Sequence, residues 1–188
     1  QLADELLAYF GDLYTNRDTR IVVLRGSGRA FCAGLDLKDN APTRESGSGG
    51  HSDGGKSRGP NPSAGMFDQR HFSAIILRMR RCPQPIIALI HGPAAGAGFS
   101  LSLAADVRLA GESARMNAAF IRIGFSGGDC GSSFHLPRLV GGTNDAEILM
   151  TGRFVDAERA LRIGLVSDVV PDDVLESAGR ALAGDMVK

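Results

Sequence analysis

The chain reads as an α/β protein built on a largely parallel sheet with surrounding helices. Three observations carry that reading. The runs RIVVLRG (20–26), IIALIHG (86–92) and DVRLAG (106–111) are apolar, rich in β-branched residues and bounded by glycine or proline, as strands buried on both faces are. Segments with helical spacing separate them and are long enough to cross a sheet. A chain of 188 residues with 43% hydrophobic content can bury one sizeable core, so a single domain over 1–188 is expected.

Each element follows in order. Leu2, Leu6, Phe10 and Leu13 share one face of a first helix. After the 20–26 strand comes the glycine-rich turn GSGRAFCAGLDL. Residues 39–65 hold Gly, Ser, Pro and Asn and almost no large apolar side chain, which predicts a mobile loop. A helix is expected from about 66 to 81, with Phe72, Ile75, Ile76 and Met79 at helical spacing and Pro83 and Pro85 beyond its end. A strand at 86–92, a short helix at about 97–105 and a strand at 106–111 come next. MNAAFIRIGF through LPRLVGG reads as strand, loop and short helix, and TNDAEILMTG as a helix with a Thr/Asn start and a glycine stop. Asp156 is placed to cap the following helix, LVSDVV reads as the last strand, and a final helix runs from 172 to about 186. No internal repeat is visible.

Charge and cysteine usage exclude several classes. Lys and Arg number 21, as do Asp and Glu, so nothing draws the chain to nucleic acid or an anionic membrane surface. The basic run Arg78-Met79-Arg80-Arg81 reads as the solvated end of a helix, with a role near phosphates as the alternative. Cys32, Cys82 and Cys130 are odd in number and lack CxxC spacing, which argues against disulfides and a zinc site and for a reducing, cytoplasmic setting. The apolar runs are too short to span a bilayer. The chain starts inside one helix and stops soon after another, as the middle of a longer protein would.

The seven residues at 92–98, GPAAGAG, include nothing larger than proline. They stand where a buried strand hands over to a helix. The first N–H groups of a helix lack internal partners and carry partial positive charge, so a turn stripped of side chains can present them to a ligand oxygen. The turn at Ala33-Gly34-Leu35 can supply another such donor, and two donors on one carbonyl oxygen make an oxyanion hole. The alternative is that the glycines serve close packing of helix and sheet backbone. A phosphate loop fits neither the glycine spacing nor the absence of GK[ST].

Taken together, RGSGRAFCAGLDL, PQPIIALIHGPAAGAGFSLSLAADVRLAG and IGFSGGDCGSSFHLPRLVGGTNDAEILMTGRFVDAERALRIGLVSDVVP resemble the crotonase superfamily, the enoyl-CoA hydratase/isomerase family. The resemblance covers the chain from Arg20 to Pro171 in order. It implies a spiral of ββα units and an acyl-CoA thioester as substrate, with no further cofactor and no metal. The thioester oxygen would sit between the backbone N–H groups of Leu35 and Ala97, with Ala33, Gly34, Asp36, Leu37, Gly96 and Phe120 bordering the substrate. It also implies a homotrimer or a dimer of trimers, with an N-terminal hairpin and C-terminal trimerisation helices that lie outside this sequence.

The sequence departs from the family at both hydratase glutamates, whose positions hold Ser100 and Phe120. A serine without a neighbouring base and a phenylalanine cannot place and activate a water, so literal hydration is not expected. Asp129, in GGDCG, matches an aspartate that family isomerases use for proton transfer. A carboxylate beside Phe120 and Phe125 would be partly desolvated, whereas a loop aspartate between glycines commonly binds backbone N–H groups instead. Cys130 reads as a small core residue and His135 as a helix-surface residue; a Ser100–His135–Asp129 triad would need contacts that sequence does not show. Two readings stay open: an isomerase- or lyase-like enzyme with Asp129 as its single acid/base, and an acyl-CoA-binding protein without chemistry. A purely structural subunit would have no use for an open oxyanion hole.

Overall fold

The computed structural model describes residues 2–34 and 62–188, with residues 62–68 given by backbone only. Six helices, α1 (Leu2–Asp12), α2 (Pro62–Arg81), α3 (Ala97–Ala104), α4 (Ser132–Thr151), α5 (Ala157–Arg162) and α6 (Leu175–Met186), alternate with seven strands among the described residues. The strands are β1 (Val22–Arg25), β2 (Ile86–Ile90), β3 (Pro93–Ala95), β4 (Val107–Gly111), β5 (Arg115–Asn117), β6 (Val155–Asp156) and β7 (Asp168–Val170). One sheet has the order β1-β2-β4-β7 and is parallel throughout, as the strand–helix alternation predicts. A second, smaller sheet pairs β3 with β5 in parallel and β5 with β6 antiparallel.

Strand β2 is the centre of the core, and all five of its side chains are buried. Ile86, Ala88 and Ile90 join the main cluster with Phe10, Ile75, Met79 and Phe99. Ile87 and Leu89 point the other way, against Leu109 and Leu175. A strand covered on both faces cannot alternate with polar residues, which is why its sequence is a continuous apolar run.

Three boundaries differ from the sequence expectation. Helix α2 begins at Pro62, so residues 62–65 are helical rather than loop. Proline suits the first helical position, where its missing N–H has no intrahelical role. The rest of the expected mobile loop, 39–61, lies outside the described residues. The short LPRLVGG helix and the TNDAEILMTG helix run together as α4, interrupted where Gly141 takes φ 76° and ψ 162°. The turn at 92–98 contains a short strand, β3. Asp156 caps α5 as expected, accepting a hydrogen bond from Arg159 N–H at 2.8 Å.

Candidate active site

The site is set by the hand-over from β3 to α3. Gly96 holds φ 53° and ψ −119°, a conformation essentially reserved for glycine, and its N–H donates to Asn117 O at 3.1 Å. That pins the turn to the second sheet. Ala97 follows as the first residue of α3, and its N–H meets no acceptor among the described residues. Beside it runs the other turn. Gly34, at φ 93°, is so close that a β-carbon there would stand 2.8 Å from Ala95 O and 3.7 Å from Ala97 N. Leu35, Asp36 and Leu37 come directly after Gly34 and lie outside the described residues; Ala33 is exposed.

The close-packing reading of the small-residue turn holds at Gly98 but not at Gly96. At Gly98 a β-carbon would fall 2.0 Å from Cys32 O, so glycine there is a matter of backbone packing against backbone. At Gly96 the nearest atoms would be 3.7 Å and 3.8 Å away, on Phe120 and Ala119, and only the backbone conformation demands glycine.

The two departures from the family pattern, Ser100 and Phe120, lie at the first turn of α3. Ser100 is fully buried, its N–H donates to Gly96 O at 3.0 Å, and its hydroxyl is paired with Ser132 Oγ at 2.9 Å. It also points at Asp129 O, 3.5 Å away. Ser100 is thus a buried hydroxyl held by Ser132, and among the described residues no Ser100–His135 hydrogen bond forms the triad. Phe120 is 8% exposed and lays its ring edge beside Gly96, where it walls the turn.

Asp129 sits in a short 3-10 turn ahead of α4. Its Oδ1 accepts hydrogen bonds from Gln69 Nε2 at 2.6 Å and from Cys130 N–H at 2.7 Å. Of the two aromatic residues expected beside it, Phe120 is buried and Phe125 is 56% exposed. The loop-aspartate role and a polar partner on α2 coexist. Cys130 next to it is buried in the left-handed region at φ 50°, and burial, reinforced by the Asp129 charge, pushes its thiol up to about 12. It packs in the main hydrophobic cluster, as a small core residue. Gln69 and Ser132 were missed from sequence, since each contacts the site from a distant stretch and neither belongs to a motif.

Comparison with known proteins decides the family. The model of the enoyl-CoA hydratase/isomerase family matches residues 1–188. The chain belongs to that family. A probable enoyl-CoA hydratase of Mycobacterium bovis is 40% identical over 171 residues, which are 91% of this chain and 56% of the relative. The 1,2-epoxyphenylacetyl-CoA isomerase of Escherichia coli K12 is 34% identical over 166 residues, 87% of this chain and 57% of the relative. The crystal structure of an enoyl-CoA hydratase from Bacillus anthracis superposes with a TM-score of 0.85 at 32% identity, covering 99% of this chain and 66% of that one. The fold is the crotonase fold expected from the motifs, and the chain spans a little over half the length of the curated relatives it matches.

Proposed function

We propose that this protein binds an acyl-CoA thioester and stabilises its enolate, moving one proton as an isomerase or lyase of the family does. The observation that carries the reading is the Ala97 N–H, left without an acceptor among the described residues beside the Gly34 turn. In the proposed step the Asp129 carboxylate takes a proton from the α-carbon. The C–H electron pair moves into the new C=C bond and the carbonyl π pair onto the thioester oxygen, which Ala97 N–H and Leu35 N–H hold. Asp129 then returns the proton to carbon. Removing one such donor costs about 2.7–4 kcal/mol of transition-state stabilisation in comparable sites. An isomerase among the relatives supports proton relocation over hydration, as does the lack of a carboxylate at Ser100 and Phe120. Assembly as a homotrimer or a dimer of trimers belongs to this proposal. So does a cytoplasmic location, which suits three free thiols; no helix among the described residues is long and apolar enough to cross a membrane.

The burial of Ser100 and the capping bonds on Asp129 favour one other reading, a carrier that binds acyl-CoA without turnover. Incubation with a saturated acyl-CoA in D₂O, read by mass spectrometry at the α-carbon, separates the two. Exchange is expected, falling about 10²–10⁴-fold in Asp129→Asn with acyl-CoA binding retained by calorimetry. Equal exchange by the variant overturns the role of Asp129, and binding without exchange in the parent establishes the carrier.

A further inference from the structure

Away from this site, at the opposite end of α3, a cavity of about 170 Å³ is lined by Arg80, Arg108, Arg138, His135 and Asp106. Three elements converge there: Arg80 from α2, Arg108 from β4, and His135 and Arg138 from α4. The three guanidinium groups spend their donors in the same way. Arg108, 7% exposed, uses Nε on Leu165 O at 2.8 Å and Nη1 on Ala105 O at 2.7 Å. Arg80 uses Nη1 on Asp106 Oδ1 at 2.7 Å and Ala104 O at 3.0 Å, and Arg138 uses Nη1 on Phe134 O at 2.5 Å while stacking on the Phe134 ring. Each Nη2 is left without an acceptor among the described residues.

The charges do not balance. Asp106 is the only carboxylate lining the cavity among the described residues, and its Oδ2 is already taken by Ile86 N–H at 2.9 Å. Three fixed positive charges face one negative charge and the carbonyl end of α3, whose partial charge is about half a unit. Burial, together with Arg80, Arg108 and Arg138, holds the His135 imidazole below its ordinary range, so the ring adds no charge near neutrality. A concave surface with three guanidinium groups and one carboxylate is an arrangement suited to planar or tetrahedral oxyanions, because Nη2 donors not used within the protein can each donate to a separate oxygen.

We propose that this cavity binds an oxyanion of the phosphate or carboxylate class, held by Arg80, Arg108 and Arg138. The anion is either free in solution or a carboxylate presented by a second copy of the chain. His135 reports on it, since an anion beside the arginines favours imidazolium. The test follows His135 by NMR through a pH titration of the chain, with inorganic phosphate against chloride at matched ionic strength. Phosphate is expected to raise the His135 midpoint by about one pH unit in a saturable way, with chloride ineffective. The shift should vanish in Arg138→Gln, whose exposed side chain leaves the core intact. A midpoint that rises with protein concentration in phosphate-free buffer, and that phosphate no longer moves, assigns the anion to a second copy and supports the site. No shift in either series, the same shift with chloride, or an undiminished shift in Arg138→Gln overturns it.

Discussion

Helix α3 is eight residues long and wholly buried, and its two ends meet opposite surroundings. At the N-terminal end the chain removes side chains: Gly98 lets backbone approach backbone, Gly96 supplies the positive-φ turn, and the Ala97 N–H meets no acceptor among the described residues. At the C-terminal end it brings side chains in. The carbonyls of Ala104 and Ala105 are held by the guanidinium groups of Arg80 and Arg108, and Arg108 also reaches Leu165 O. Buried helix termini must find partners, and positive groups suit the carbonyl end. The difference teaches how a short buried helix can be held by one end: the carbonyl end is fixed to β4, α2 and the α5–β7 connection by side chains, while the other is shaped by backbone alone.

The largest effect is expected where that anchor is cut. Arg108→Met keeps the length of the side chain but leaves Ala105 O and Leu165 O without their buried donor, and should cost about 3 kcal/mol in equilibrium urea unfolding. Deuterium exchange per folded molecule should survive, because the N-terminal end keeps its geometry. A variant as stable as the parent would mean that the carbonyl end does not need its guanidinium group.

A smaller stability loss with a larger functional one is expected at the other end. In Gly98→Ala the new methyl group meets Cys32 O at 2.0 Å, and strand or helix must shift to admit it. Overpacking of this kind costs about 1–3 kcal/mol. Here exchange should fall along with stability, since Cys32 leads directly into Ala33 and Gly34. Full exchange in the folded variant would show that the two turns can separate without harming the chemistry.

Much of this contrast was legible in the sequence, but only at one end. Runs such as IIALIHG announce buried strands, and GPAAGAG announces a turn cleared of side chains, because both signals are local. Strand β3 was missed because Pro93, Ala94 and Ala95 carry no alternation or β-branching; it exists through pairing with β5. The basic run at 78–81 is the exposed helix end expected, but its spacing does not record that Arg80 pairs with Asp106, 26 residues away, or that Arg78 donates to Leu7 O. The bonds Ser100–Ser132 and Gln69–Asp129 likewise join residues 32 and 60 positions apart. Contacts of that range are made by the packing of α2, α3 and α4, and no spacing rule records them.

The smallest effect sharpens the comparison at the carbonyl end. His135 has its folded-state pKa lowered by burial and by three arginines, while in the unfolded chain it titrates near its ordinary value of about 6.5. Between those two values the unfolded state binds more protons than the folded one, so stability rises with pH through that window. The stability is full above the ordinary imidazole pKa and is lost as pH falls from there toward the folded value. Urea midpoints measured from about pH 7 down to pH 5 should therefore fall for the parent and fall less for His135→Gln, which cannot protonate. Added phosphate should narrow the gap between the two, because an oxyanion among the arginines would let the folded protein accept the proton. Parallel slopes without phosphate would mean that the arginines exert no net field on His135, and that the two ends of α3 differ in hydrogen bonding alone.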